Sequence, residues 1–176
     1  MASELHVDAI KHSGGTSALT IDSSGNLTAS ANLHYAGGVL QVVNGRVSND
    51  RDATSSTSYV QLGNTLSITP KFSTSKIFIL AVTNPSISGG GGNTIYFDFG
   101  RTTGGTTTKP ISSVSNGIST MGFDGWNTIT YSFLDSPNTT SQVTYFCVVK
   151  ASAGIAYFND NSANNLTNFT LMEIAQ

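Results

Sequence analysis

Three histidines are the first side chains to test for chemistry, because imidazole acts both as a general base and as a metal ligand near neutral pH. His6, His12 and His34 all lie near the N-terminus, and Asp8 lies between the first two. Two imidazoles and one carboxylate, without a cysteine, make a weak zinc signal. We therefore predict no metal site and interpret the histidines as solvated or interface side chains.

Carboxylate pairs are the next candidates, because glycoside hydrolysis uses two carboxyl groups that face one cleft. The sequence offers Asp50 with Asp52, Asp98 with Asp124, and Asp124 with Asp135. Each lies in a predicted turn or at a strand end, without a surrounding motif. The many serines include no G-x-S-x-G elbow. We predict a protein without catalytic residues or cofactors; a polysaccharide-degrading enzyme is a remote alternative.

Two further features imitate functional motifs. The glycines at residues 89–92 lack the Lys and the Ser or Thr of a phosphate-binding loop, and no predicted helix follows them, so we interpret them as a spacer. Cys147 is the sole cysteine and lies in an apolar run. A disulfide within the chain and a cysteine-based zinc site are therefore excluded.

One aromatic cluster could contact a ligand. Phe123 and Trp126 lie in the turn-like segment GFDGW. If they are buried, they cap the core; if they are exposed, they form a surface that stacks on a sugar or a partner.

The charge and hydropathy of the chain exclude two classes of partner. Charged residues make up 10% of the chain and the formal net charge is −2, so the basic surface that nucleic-acid binding requires is missing. The longest apolar stretch, residues 77–82, is far shorter than a membrane span, and no signal peptide is visible. We expect no nucleic-acid partner, no membrane insertion and synthesis in a cytoplasm without export.

Alternating hydrophobicity predicts the elements that position these residues. Segments such as residues 94–99 and 128–134 alternate with period two, which is typical of strands with one buried face. Residues 77–82 and 145–149 are apolar on both faces, which indicates a central strand or a face buried by another subunit. No segment carries a helical stripe, so we predict an all-β antiparallel sandwich of the jelly-roll type. The predicted strands are residues 39–43, 59–62, 66–69, 77–83, 94–99, 118–121, 128–134, 142–150, 155–158 and 169–174, and residues 86–92 and 101–109 are predicted as mobile loop tips.

Residues 1–38 differ from the rest of the chain. They alternate briefly between glycine-containing turns, so we predict an extended N-terminal arm with short strands, followed by a sandwich domain at residues 39–176. Strands this short cannot bury their own apolar side chains in water, so they need a partner. The side chains predicted to dock on that partner are Leu5, Val7, Ile10, Leu19 and Ile21.

A family resemblance rests on three stretches. They are ELHVDAIKHSGGTSALTIDSSGNLT at the N-terminus, SITPKFSTSKIFILAVT at residues 67–83, and YSFLDSPNTTSQVTYFCVVKAS at residues 131–152 followed by FTLMEIAQ. The first resembles the N-terminal segments of tail-fibre and other virion-surface proteins of tailed bacteriophages, especially marine and cyanobacterial phages. The other two resemble the associated fibre-head domain. The shared motifs are structural, without a catalytic residue.

The resemblance implies a homotrimer of jelly-roll heads at the virion surface, similar in outline to C1q- and tumour-necrosis-factor-like heads. Trimerisation would explain the low charge and the runs that are apolar on both faces. The implied interface or core aromatics are Tyr131, Phe133, Tyr145 and Phe146. With phage tail or capsid proteins as partners, the chain is either a short tail fibre or adhesin that binds a host-surface glycan, or a capsid decoration protein. The short arm leaves both open.

Overall fold

The computed structural model describes residues 7–29, 36–46, 52–89, 91–122, 125–158 and 167–176, apart from the side chains of residues 63 and 64. Every regular element in these ranges is a β-strand, and every strand pairing is antiparallel. The chain divides into two compact units, residues 1–35 and residues 36–176. The all-β prediction is confirmed.

The N-terminal unit contains a three-stranded sheet. Its strands, paired in chain order, are β1 (Ala9–Lys11), β2 (Ser17–Ile21) and β3 (Leu27–Ala29). The second turn contains Gly25 with a φ of 82°, a left-handed value that glycine adopts without strain. In this turn the Asp22 carboxylate accepts hydrogen bonds from the backbone N–H groups of Ser24 and Asn26, both at 2.9 Å. The bonds from Asn26 hold the pKa of Asp22 below its usual value. This turn fixes the pairing of β2 with β3.

The second unit, the head, contains the remaining strands. They are β4 (Val39–Arg46), β5 (Asp52–Thr54), β6 (Val60–Ile68), β7 (Lys76–Thr83), β8 (Pro85–Ser88), β9 (Ile95–Thr103), β10 (Thr106–Thr108), β11 (Ser119–Met121), β12 (Ile129–Asp135), β13 (Val143–Ala151), β14 (Ile155–Phe158) and β15 (Asn168–Ile174). They form a four-stranded sheet in the order β12–β7–β15–β4, and a five-stranded sheet in the order β10–β9–β13–β6 with β11 also on β9. A third, three-stranded sheet has the order β5–β14–β8.

Aromatic side chains from the two larger sheets meet in the core. The ring centroid of Tyr131 lies 5.5 Å from that of Phe97 and 4.9 Å from that of Phe99. The Phe99 ring also stacks on Phe169 at 5.8 Å. All four side chains are buried, and each pair joins the five-stranded sheet to the four-stranded sheet. The predicted sandwich is confirmed, while its jelly-roll form and the extended arm stay predictions.

Two of the predicted loops are strands in the structure. The sequence predicts a mobile tip at residues 101–109, but these residues complete β9, turn and form β10. The turn is possible because Gly104 and Gly105 have φ values of 54° and 81°, and two positive values in succession suit a tight hairpin turn. Residues 85–88, most of them predicted as loop, form β8 and pair with β14. The segments predicted as separate strands at residues 59–62 and 66–69 form the single strand β6.

The strand β13, which is apolar on both faces, is central because it lies between β9 and β6. Phe146 and Val148 alternate with core residues and so point away from the core, yet both are buried. Phe146 covers Gly100 on the neighbouring strand, where a Cβ atom would overlap the phenylalanine ring. The head therefore covers the second face of this strand with its own residues.

The head has two distinct ends. At one end, the base, Ile174 pairs with Val39 and Lys76, and the backbone N–H of Gly37 donates to the Ala175 carbonyl at 2.8 Å. At the opposite end, the far end, β7 stops at Thr83 and the three-stranded sheet follows. The head therefore begins and ends at its base.

Candidate functional site

The carboxylates that the sequence suggests as catalytic pairs do not share a cleft where the structure describes them. Asp98 alternates on β9 with core phenylalanines, so it points to the outer face of the five-stranded sheet. Asp135 ends β12 and points between the two sheets, where it is buried. Asp52 lies on β5, and Asp50 and Asp124 lie outside the described residues. Asp98 and Asp135 therefore lie on opposite sides of the five-stranded sheet.

Asp98 anchors the segment that follows β10. Its carboxylate accepts hydrogen bonds from the backbone N–H of Phe99 at 2.7 Å, from the backbone N–H of Ser112 at 3.4 Å and from the Ser112 hydroxyl. Burial raises the pKa of Asp98, and these hydrogen bonds oppose the increase. The carboxyl group is fully buried, so it holds a loop and offers no surface to a substrate.

Asp135 joins the two stacked sheets. Its carboxylate forms an ion pair with Arg101 on β9 and accepts a hydrogen bond of 2.7 Å from the Tyr145 hydroxyl on β13. Burial is the main cause that raises the pKa of Tyr145 above its usual range, and the Asp135 charge adds to it. These contacts satisfy the hydrogen-bonding capacity of the buried carboxylate, so a structural role is enough to explain why Asp135 is buried.

Sequence reasoning missed Glu173, which is fully buried on β15. Its carboxylate accepts hydrogen bonds from the Gln41 side chain at 2.6 Å and from the backbone N–H groups of Lys71 and Phe72 at 2.7 Å and 3.3 Å. The sequence does contain a sign of this buried carboxylate. Alternation along β15 places residue 173 on the inward face, where an acidic side chain needs hydrogen-bond partners. Glu173 holds the turn between β6 and β7 and does not form part of a reactive site.

An apolar row crosses the outer face of the four-stranded sheet. Cross-strand pairing aligns Leu134, Phe78, Met172 and Val42 on β12, β7, β15 and β4. Phe78 and Met172 are half-buried, while Leu134 and Val42 remain 46% and 55% exposed. Sequence reasoning missed this row, because only the register between strands brings the four side chains together. The outer row is the clearest candidate for an interface on the head.

The N-terminal sheet also carries an apolar face. Ile10 pairs with Leu19, and Ile21, two residues further along β2, pairs with Leu27, so all four side chains share one face. Leu19 is half-buried and the other three are exposed. Of the other predicted docking residues, Val7 is half-buried and Leu5 lies outside the described residues. Leu27 completes this apolar face, which we name the docking face after the predicted role of its residues.

The aromatics predicted at the interface or in the core lie in different places. Tyr131 and Tyr145 are buried in the core, and Phe133 is half-buried against it. Phe146 is buried on the outer side of β13. None of the four is exposed, so the outer row offers a larger accessible apolar surface than these aromatics do.

Trp126 and Tyr157 form an aromatic pair at the far end of the head. Their ring centroids are 6.3 Å apart with the ring planes tilted by 45°, and the indole remains 37% exposed. The backbone N–H of Asn127 donates to the Pro85 carbonyl at 3.1 Å, which holds this segment beside β8. Phe123 lies outside the described residues. An exposed indole supported by a second ring can stack on a sugar face.

Two features of the described residues bear on other classes of protein. No group of three or more His, Cys, Asp and Glu side chains is arranged there to hold a metal ion. The same part of the chain contains no helix with the length and apolar character of a membrane span. In comparisons with known proteins, no family model and no curated protein matches this chain.

Proposed function

We propose that this protein is a non-enzymatic structural protein of a tailed-phage virion. In this proposal three chains assemble through their heads, the N-terminal sheet docks on the particle, and the far end of each head faces outward as a short tail fibre or adhesin. The observation that carries the proposal is the outer row, an apolar band that crosses all four strands of one sheet of the head.

The outer row supports self-assembly. Exposed apolar side chains that are aligned across a whole sheet mark interaction surfaces more often than single exposed side chains do. Charge is scarce in the chain, at 10% of residues, and charge depletion is typical of interface cores. A trimer in which this face of each head packs on its neighbour would bury Leu134 and Val42.

The strand order supports the jelly-roll head. Along the chain, β4, β7, β12 and β15 belong to the four-stranded sheet, and β6, β9 and β13 belong to the five-stranded sheet. These long strands alternate between the two sheets along the chain, and the short strands β10 and β11 follow β9 in the five-stranded sheet. Such alternation is what a double Greek key requires, in agreement with the resemblance to phage fibre heads.

The docking face supports attachment to the particle. A small sheet that leaves Ile10, Ile21 and Leu27 exposed gains little stability from its own packing. A partner protein that covers this face would supply the missing apolar contacts.

The two ends of the head support an outward-facing binding surface. Residue 36, where the head begins, is at the base, whereas Trp126 and Tyr157 are at the far end. A head that is attached through its base presents the aromatic pair to the surroundings. We propose a host-surface glycan as the ligand of this pair.

Substitutions on the docking face test attachment. Ile21→Asp places a charge on the apolar face, whereas the control Thr20→Asp places the same charge on the opposite face of β2. We expect Ile21→Asp to abolish incorporation into particles, measured by quantitative mass spectrometry of purified virions, while Thr20→Asp incorporates normally. Equal incorporation of the two variants would contradict the docking role.

Substitution of the aromatic pair tests glycan recognition. Trp126→Ala should weaken adsorption of particles to host cells by about two- to tenfold, the range expected for one aromatic contact. Incorporation into particles should not change, because Trp126 is remote from the base. Unchanged adsorption would refute the role of the pair.

A capsid decoration protein is the alternative, because the same two apolar surfaces could clamp neighbouring capsid subunits. The copy number on the particle separates the two functions. A few trimers at the tail support the fibre, whereas many copies over the capsid support decoration.

A further inference from the structure

An open cavity with a volume of about 550 Å³ lies on the outer side of the five-stranded sheet and is broadly exposed to solvent. One wall is the loop between Ile111 and Ile118, and the other includes the segment before β6. The backbone N–H groups of Ile111 and Ile118 donate to the carbonyl groups of Phe99 and Phe97 at 2.9 Å and 2.8 Å. Both ends of this loop are thus fixed to β9, at carbonyl groups that are two residues apart. The volume of the cavity lies in the range of small-ligand sites, roughly 300–1,000 Å³.

Lys150 is held in position inside this cavity. Its ammonium group lies 4.9 Å and 5.0 Å from the ring centroids of Tyr59 and Tyr96 and donates a hydrogen bond of 2.6 Å to the Ser115 carbonyl. An ammonium group has three donors, so this one bond leaves donor capacity for a ligand oxygen. The two rings keep the cation in a defined place without neutralising its charge.

The Tyr59 ring beneath Lys150 packs against the loop that contains Gly117. Gly117 has a φ of 70°, and a Cβ atom there would lie 2.7 Å from the Tyr59 hydroxyl, so this hydroxyl packs directly against the glycine. Burial is the main cause that raises the pKa of Tyr59 to about 12, and the phenol is neutral at physiological pH with or without this shift. A fixed, neutral ring is a stable platform for the cation.

The charge of the cavity wall is positive. Lys109 and Lys150, two of the eight basic residues of the chain, line it, and none of its lining residues is acidic. Hydroxyl groups of Ser58, Ser113 and other Ser and Thr residues provide further hydrogen-bonding groups. Asp98 lies behind Ser112, fully buried and hydrogen-bonded, so a ligand in the cavity cannot touch it.

We propose that this cavity binds an anionic sugar unit, whose carboxylate or sulfate group pairs with Lys109 and Lys150 while its hydroxyl groups bond to the serine and threonine side chains. The choice of a sugar rests on the proposed function, in which the protein binds a host-surface glycan. The cavity adds that this glycan is acidic. Hydroxyl-lined walls suit a sugar better than an isolated anion, since a sugar can bond to several hydroxyl groups as well as to the lysines, whereas an inorganic anion would contact few of them.

Titration calorimetry of the purified full chain tests the proposal. The probes are digalacturonic acid, galactose 6-sulfate, neutral galactobiose and inorganic sulfate. We expect at least one of the two anionic sugars to bind more tightly than galactobiose and than sulfate, and comparison of the two identifies the anionic group. Equal binding of galactobiose, or sulfate binding as tight as the best sugar, would overturn the proposal, as would no binding of either anionic sugar.

Lysine variants locate the bound sugar. Lys109→Gln, at an exposed position, should weaken binding about fivefold, and Lys150→Gln about tenfold, as expected for charged hydrogen bonds. The control Lys11→Gln removes the same charge from β1 and should bind as the parent does. If Lys150→Gln unfolds, Lys109→Gln alone decides whether the sugar binds in the cavity. An affinity of Lys109→Gln equal to that of the parent would place the ligand elsewhere and refute the proposal.

Separate readouts distinguish this proposal from the proposed function. Lysine variants that lose sugar binding should still incorporate into particles. If neither anionic sugar binds while Ile21→Asp still abolishes incorporation, only the cavity assignment fails. If an anionic sugar binds but Ile21→Asp and Thr20→Asp incorporate equally, the virion attachment fails and the cavity assignment stands.

Discussion

Replacing Val42 by Thr tests the outer row as an assembly interface. The two side chains have nearly the same shape and both suit a strand, so the change removes apolar character without disturbing β4. Val42 is 55% exposed, so about half of the 1.5–3 kcal/mol that a fully buried valine contributes remains to be gained on assembly, about 1 kcal/mol per subunit. Three subunits lose about 3 kcal/mol per trimer by the same measure.

This loss has a measurable consequence for the concentration at which trimers form. The midpoint concentration varies as the square root of the trimer dissociation constant, so a loss of about 3 kcal/mol raises it about tenfold. Adding Leu134→Thr should raise the shift to about a hundredfold on the same reasoning. Sedimentation velocity over a dilution series measures the midpoint for each variant.

Val114→Thr is the matched control, because Val114 is 48% exposed on the cavity wall, away from the four-stranded sheet. It should leave the midpoint unchanged. An equal midpoint for Val42→Thr and Val114→Thr would refute the interface, and a parent protein that stays monomeric at all concentrations would refute the trimer.

Three further predictions concern the fold. Asp135→Asn leaves the charge of Arg101 without its partner, so the free energy of unfolding in urea should fall by about 3 kcal/mol, and a loss below about 1 kcal/mol would contradict the role of the ion pair. Because the folded-state pKa of Asp98 is raised, its protonated form stabilises the fold below the unfolded-state pKa, and this stability is lost as the pH rises through the folded-state value. Asp98→Asn should therefore remove part of the decline in stability with rising pH, measured by urea titrations from about pH 3 to about pH 8, and parallel pH profiles would exclude this linkage. Gly117→Ala combines a φ of 70° with a Cβ atom that overlaps a backbone carbonyl of β9, so it should lower the free energy of unfolding by about 3 kcal/mol or more. The control Gly105→Ala, with a φ of 81° and open space around the added Cβ atom, should lower it by about 1 kcal/mol. Equal losses of the two variants in thermal unfolding would contradict the overlap.

Local alternation predicted most of the sandwich strands, because a strand with one buried face repeats every two residues. Residues 155–158 were predicted with the observed bounds, and β12 differs from its prediction by one residue at each end. The prediction was wrong where composition replaced periodicity. Thr-rich and Gly-rich stretches at residues 101–109 suggested a loop, yet paired glycines with positive φ values form the turn of a hairpin.

The candidate surfaces could be predicted only in part. Leu19 and Ile21 follow from alternation within the N-terminal segment, and the face that they share with Ile10 and Leu27 follows from the pairing of β2 with β1 and β3. The outer row and the cavity depend on contacts between residues that are distant in sequence. Lys109 and Lys150, for example, meet at one cavity although forty residues separate them in the chain. No local pattern carries that information.

The two larger sheets of the head differ in what covers their outer faces, and in our proposal this difference separates assembly from ligand binding. On the five-stranded sheet, Phe146 covers Gly100, and Asp98 is covered by the segment that contains Ser112. That face is completed by the chain itself and retains a hydroxyl-lined cavity with two lysines. On the four-stranded sheet, the described residues leave Val42 and Leu134 about half exposed, and we propose that another chain covers them. A trimer that packs through the four-stranded sheets would leave the five-stranded sheets facing outward, with the cavity of each head still open to a glycan.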